Sequence, residues 1–231
     1  PGSMQYGNQG AYLMPLAANT AYKLTFSYRS HEWNSNTGVT VSILKGDAEV
    51  KKVTFPGVPS TEEWSTVSTV FTTTDADNYV LSLGNGGNTW MTNVSIVKAE
   101  PESVTVTSDG YATYVSDYDL DFSETAIKAY TAKVEDGKVV LTQISKVPAG
   151  TPVVLYCEGG NTEEIPFASE TDAPAASDLV AGNGGTVATA DGDYTNYILN
   201  VGSKGIGFYK ANDQTVDKGR AYLHVAGTSE A

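Results

Sequence analysis

The sequence has a single cysteine, Cys157, in 231 residues, so no internal disulfide can form. Histidine is nearly as scarce: His31 and His224 are the two present, which sets the chain against a zinc site. Basic residues are few as well. Fourteen Lys and Arg face 27 Asp and Glu, a net charge of −13 at pH 7. That balance speaks against binding to a nucleic-acid backbone, which needs clustered Lys and Arg, and against an anionic membrane surface. No window approaches the run of about 18 apolar residues that a membrane-spanning helix requires. No signal peptide is visible. Pro1-Gly2-Ser3-Met4 reads as a cloning scar, set aside from fold reasoning, and the chain as an excised piece of a longer protein. No stretch shows a helical repeat.

Alternation of period two is what remains. Tyr22 to Arg29 places Tyr22, Leu24, Phe26 and Tyr28 on one face and Arg29, Ser27 and Thr25 on the other. Gly38–Ile43, Val67–Phe71, Tyr79–Leu83 and Val94–Val97 alternate likewise, separated by Gly, Asn, Pro and Asp. Strands at this spacing predict sandwiches or barrels. A break falls at Lys98-Ala99-Glu100-Pro101-Glu102, and charge changes across it. Residues 1–99 hold six basic and seven acidic residues, whereas residues 100–231 hold eight and twenty, so −12 of the charge lies in the second part. The expected fold is all-β, with two β-sandwich domains at 5–99 and 100–231. In the second, Ile127–Val134, Lys138–Ile144, Pro152–Tyr156, Tyr197–Val201, Gly207–Lys210 and Ala221–Val225 read as strands, and Ala168–Asp178 as a long loop.

Three ordered segments of the first part carry a resemblance. They are the turn Ala17-Ala18-Asn19-Thr20 before Tyr22-x-Leu24-x-Phe26-x-x-Arg29, then Glu63-Trp64-Ser65-Thr66-Val67, then Trp90-Met91-Thr92-Asn93-Val94-Ser95-Ile96. Residues 9–98 thereby resemble the jelly-roll, galactose-binding-like carbohydrate-binding modules of families four, nine and twenty-two. The resemblance implies a non-catalytic binder of polysaccharide or oligosaccharide, such as the plant β-glycans xylan and β-glucan, serving an attached glycoside hydrolase. Thr92 and Asn93 stand where such modules usually carry one or two aspartates, which sets the family's structural calcium against this chain; no cofactor is expected.

A glycan site needs aromatic platforms for the apolar faces of sugar rings, plus amides and charged groups for hydroxyls. Trp33 is the leading platform, because its neighbours His31, Glu32, Asn34, Ser35 and Asn36 all want water; the alternative is a Trp folded back to cap the sandwich. Arg29 shares its face with Thr25 and Ser27, and Thr40 and Ser42 lie on the corresponding face of another strand, a polar groove or else a solvated surface. Trp90 has the parity of Val94 and Ile96, which argues for the core, but its Gly- and Asn-rich flank argues for a platform. Trp64 reads as structural at the start of its strand, and Tyr12 as a further platform. His31, Glu32, Asn34, Asn36 and Asn88 complete the hydroxyl-binding set.

The second part carries Gly110–Tyr114, Lys128–Ala132, Val147–Leu155, Gly207–Lys210 and Gly219–Leu223 in order. Residues 103–226 look like a β domain common near the C-terminus of secreted and surface proteins of Bacteroidetes. The family supplies no firm activity, but it implies an exported multidomain protein. Asp117-Tyr118-Asp119-Leu120-Asp121 begins as a calcium loop does, yet Phe122 and Lys128 stand where Gly and Glu belong. Strand alternation, with Tyr118, Leu120 and Phe122 inward, explains it. Asp191-Gly192-Asp193 is a turn, Gly202-Ser203-Lys204-Gly205 lacks phosphate-loop spacing, and Cys157 is a small core residue.

Catalysis is not expected. Glycoside hydrolysis needs two carboxylates about 5–9.5 Å apart, and no motif singles out a pair. A Ser-based site lacks the nucleophile-elbow pattern. The rival to a glycan binder is a structural spacer or cell-surface adhesion module without a glycan site; a third option places binding in the acidic second domain. A monomer is expected.

Overall fold

The computed structural model describes residues 4–5, 12–30, 39–58, 63–84 and 89–227. Every regular element among them is a strand, and none is a helix long and apolar enough to cross a membrane. The chain divides into two compact units, Pro1–Glu100 and Pro101–Ala231.

The first unit contains β1 (Met4–Gln5), β2 (Tyr12–Leu16), β3 (Thr20–Ser30), β4 (Val39–Lys45), β5 (Ala48–Phe55), β6 (Ser65–Thr73), β7 (Asp77–Gly84) and β8 (Thr89–Lys98). They form two antiparallel sheets, ordered β1-β8-β3-β6 and β2-β7-β4-β5. The alternation at Tyr22–Tyr28 is what joins them. Tyr22, Leu24, Phe26 and Tyr28 are buried and meet Val39, Val41 and Ile43 of β4 and Tyr79 and Leu81 of β7 in one core. Two sheets facing across a single apolar layer make a β-sandwich. The Tyr28 hydroxyl donates to the Pro56 carbonyl at 2.5 Å, which satisfies a buried polar group.

Three features of this unit depart from the sequence reading. Met4, set aside with residues 1–3, pairs with Met91 in β1. Alternation does not mark β2 or β5, since Pro15 interrupts one and Lys51-Lys52 the other; both are edge strands, where such residues are tolerated. The third lies between β3 and β8. Thr25 pairs with Ser95 but Ser27 with Thr92, so β8 holds one extra residue, a β-bulge, with Asn93 at φ 54°. The bulge inverts the parity of β8. Met91 is buried and Ile96 packs on the core, so Trp90, beside Met91, belongs to the opposite face, and its shared parity with Ile96 does not make it core.

In the second unit a central antiparallel sheet runs Tyr111–Tyr114, Val153–Tyr156, Lys128–Glu135, Lys138–Ile144. The last two strands are joined by Asp136-Gly137, both at positive φ (49° and 72°), as a tight hairpin turn requires. This sheet is covered on both faces. Val153 and Leu155 pack with Val104, Leu120, Phe122 and Ile165 on one side, while Val154 packs with Ala132, Leu179 and Leu223 on the other. The unbroken run Val153-Val154-Leu155 is the sequence counterpart of that double burial. Leu120 and Phe122 are buried as the alternation requires, and Asp119 and Asp121 accept backbone N–H bonds from Ala149 and Ser123. Residues 168–178 form a loop without regular structure, pinned where Asp172 accepts from Ser145 and Lys146 and where Asp178 accepts from Val134. Cys157 is a buried free thiol in the first of these cores.

One polar link in this unit has a pH consequence. The Tyr114 hydroxyl donates to one carboxylate oxygen of Glu102, and Ser116 Oγ to the other at 2.7 Å. Burial, with the Glu102 hydrogen bond adding to it, raises the Tyr114 pKa well above its usual 10. The unfolded chain therefore releases this proton first: the stabilisation is complete below pH 10 and is lost as pH rises above it. Tyr114→Phe is expected to cost about 1–2 kcal/mol at pH 8 and to flatten the alkaline decline in stability. Denaturation midpoints at pH 8 to 11.5 check this; parallel curves for parent and variant would exclude it.

Candidate functional site

The outer face of the sheet β1-β8-β3-β6 is laid out by β3. With Tyr22, Leu24, Phe26 and Tyr28 turned into the core, Lys23, Thr25, Ser27 and Arg29 face outward. Cross-strand partners share a face, so each outward position defines a row. Thr25 lies between Ser95 and Ser68, and Ser27 between Thr92 and Thr66, with Ser27 Oγ 2.8 Å from Thr66 Oγ1. Arg29 pairs with Trp90 on one side. On the other stands Trp64, immediately before β6 and in phase with Thr66. The Arg29 guanidinium carbon lies 4.7 Å from the centre of the Trp64 ring and 5.2 Å from that of Trp90. Both distances are within cation–π range. The row thus reads indole, guanidinium, indole across three strands, over two rows of hydroxyls.

Arg29 Nε is buried and makes no hydrogen bond. An unsatisfied buried donor costs about 1–3 kcal/mol, which the cation–π attraction to both indoles helps to offset. Trp64 is 37% exposed, which leaves indole surface open to solvent. The sequence reads Trp64 as structural at its strand entry, and the structure places it in the row beside Arg29. The signal that it belongs to this row is its two-residue spacing from Thr66 and Ser68 on an alternating strand, and it was legible.

The structure does not bring all the candidate residues to this face. Thr40 and Ser42 are on β4 in the other sheet, where Thr40 Oγ1 meets Thr54 Oγ1 at 2.9 Å and Ser42 donates to Glu49. They form no groove with Arg29. Tyr12 also belongs to that second sheet, paired with Leu81. His31, Glu32, Trp33, Asn34, Asn36 and Asn88 lie outside the described residues.

No protein-family model matches the chain, and no curated protein matches it.

The second unit offers a different surface. Two adjoining clefts of about 310 and 330 Å³ share Tyr111, Leu199 and Ile206. One continues to Asp109, Asp217 and Arg220, the other to Val139, Leu141 and Phe208. Arg220 is already engaged with the Thr113 carbonyl at 3.0 Å. Among the described residues no group of three or more His, Cys, Asp or Glu could hold a metal ion. Cys157 sits among Val106, Ala112 and Leu155, whereas His224 stacks on Tyr194 at 4.1 Å and bonds Asn196 at 2.7 Å. The thiol and the imidazole are thus occupied in different parts of the unit.

Proposed function

We propose that the first unit is a non-catalytic polysaccharide-binding module and that Trp64, Arg29 and Trp90 form its binding row. The observation that carries this reading is the row itself: two indoles and a cation side by side over a sheet face of Ser and Thr hydroxyls. Indoles cover the apolar faces of sugar rings, and hydroxyls and guanidinium N–H groups bond to sugar hydroxyls. The strand orders β1-β8-β3-β6 and β2-β7-β4-β5 support a jelly-roll reading, since that wrapping pairs first with last strand and closes on two sheets. With the resemblance to carbohydrate-binding modules, this makes the natural setting an exported glycoside hydrolase of Bacteroidetes type, secreted or held at the cell surface, with xylan or β-glucan as ligand classes. The module acts as a monomer and needs no cofactor.

A structural spacer is the second reading, and one observation favours it. Each indole of the row already rests against the guanidinium, so the three side chains could serve simply to fasten β6, β3 and β8 together.

Affinity electrophoresis through xylan, mixed-linkage β-glucan, glucomannan, xyloglucan and pectin separates the two. The parent is expected to be retarded by at least one polymer. Trp64→Ala and Trp90→Ala are expected to weaken that retardation about 10- to 30-fold each, the usual effect of removing a central aromatic anchor. A Trp33→Ala variant beside them tests whether Trp33 contributes. Absence of retardation by every polymer would establish the spacer instead.

A further inference from the structure

We infer that the Trp64–Arg29–Trp90 row takes a saccharide bearing a carboxylate, the uronate unit of an acidic glycan. This rests on the glycan-binding reading above and narrows it to a ligand class. Three observations converge on it.

The first is the state of the cation. Arg29 has an indole on either side and a buried Nε with no acceptor. A guanidinium held between two indoles keeps its N–H groups in the planar fork that a carboxylate matches in two parallel bonds. Partial burial strengthens that pairing, because the surrounding low dielectric screens it less than water does.

The second is what the face lacks. Among the described residues that β3, β6 and β8 turn outward, none is acidic. Residues 1–99 hold seven acids in all, and none of them falls on this face among the described residues. Glu63, next to Trp64, is engaged in a contact of its own. Asp75 is paired to Lys45 at 2.5 Å, beyond the Thr73 end of β6, which lies beside Thr20. Nine residues of strand, about 30 Å, separate that end of β3 from Arg29. Lys23 on the same face has a partner, so Arg29 alone carries the argument.

The third is charge distribution. The net −13 that would repel an acidic polymer belongs almost wholly to residues 100–231, and residues 1–99 are near neutral at −1. Ser27 itself is buried, and the exposed Thr66 and Ser95 in the rows of Ser27 and Thr25 suit the neutral remainder of the sugar.

The test uses the full chain and matched polymers: polygalacturonate against its methyl-esterified form, glucuronoxylan against carboxyl-reduced glucuronoxylan, and dextran sulfate as a non-uronate polyanion. The parent is expected to bind the uronate polymers at least tenfold more tightly than their neutral counterparts, with affinity falling between 20 and 300 mM salt. Arg29→Met should abolish the preference, and Arg29→Lys, which keeps the charge but loses the fork, should retain a part of it. Trp fluorescence of each variant reports whether the sandwich has folded. Equal binding of acidic and neutral forms would overturn the inference and leave the glycan-binding reading standing. Tight binding of dextran sulfate, matching the uronates, would overturn the carboxylate assignment in favour of generic polyanion attraction. Binding of no polymer would overturn both.

Discussion

Gly160→Ala is expected to destabilise the second unit by on the order of 4 kcal/mol, while Gly159→Ala costs about 1–2 kcal/mol. The two glycines are adjacent in the turn between Val153–Tyr156 and Asn161–Ile165, and they share nearly the same backbone conformation, φ 72° and 73°. Any L side chain in that left-handed region carries the smaller penalty. What separates them is space. A Cβ at Gly159 meets nothing within 4 Å, but at Gly160 it would fall 2.3 Å from the Thr107 carbonyl oxygen and 2.7 Å from the Ser108 nitrogen. Those are backbone atoms and cannot swing aside. Both loops are also fastened: Gly160 N–H donates to Cys157 at 3.0 Å, and the Thr107 carbonyl accepts from Gly110 at 2.9 Å. Cys157 supplies the readout, being the chain's one thiol and 8% exposed. Its labelling by a thiol reagent should begin at much lower denaturant in Gly160→Ala than in Gly159→Ala. Trp33, Trp64 and Trp90 all precede residue 101, so indole fluorescence should be unchanged in both. Identical labelling profiles for the two variants would refute the steric account.

How far the sequence reveals this fold depends on which physical rule governs each segment. Where burial is one-sided and the strand regular, alternation suffices. Tyr22–Arg29 is read almost to the residue, because one of its faces is turned into the core. The reading fails where a second rule intervenes. Counting by twos through Asn93 puts Trp90 inside, and a single left-handed residue puts it outside; nothing in the local composition marks that bulge. Edge strands escape for another reason. Ala48–Phe55 needs no continuous apolar face, since one side of it is unpaired, and its Lys pair masks the pattern. The candidate site shows the same division. Arg29 is legible from parity alone, and so is its separation from the core. That Thr40 and Ser42 belong to the other sheet is a matter of pairing between distant strands, which period two does not encode. The row Trp64–Arg29–Trp90 arises from the register of three strands separated by 35 and 26 residues in sequence, and register is set by the whole sandwich rather than by any one segment.

That dependence makes the core of the first unit a control point for the site, and Phe26→Ala is expected to remove both together. Phe26 has no exposed surface; its ring meets Phe55 edge-on at 5.4 Å and Tyr28 at 5.8 Å, and lies on β3 three residues before Arg29. Deleting a buried phenyl costs about 3–5 kcal/mol through lost burial and the cavity left behind. For a unit of this size that corresponds to a fall of roughly 15–30 °C in melting temperature, a large part of the 5–15 kcal/mol that holds a typical domain. Phe26→Leu keeps most of the volume and is expected to cost about 1–2 kcal/mol. The alignment of Trp64 and Trp90 with Arg29 exists only while β6, β3 and β8 keep their register, so polymer retardation should fail in Phe26→Ala at the temperature where indole fluorescence reports unfolding, and persist in Phe26→Leu. Cys157 serves as the internal control: it belongs to the other unit, whose cores share no residue with that of Phe26, and should stay protected throughout. If Phe26→Ala unfolded the first unit and retardation survived, the glycan site would have to lie in the second unit, and the adjoining clefts beside Tyr111 would become the surface to mutate next.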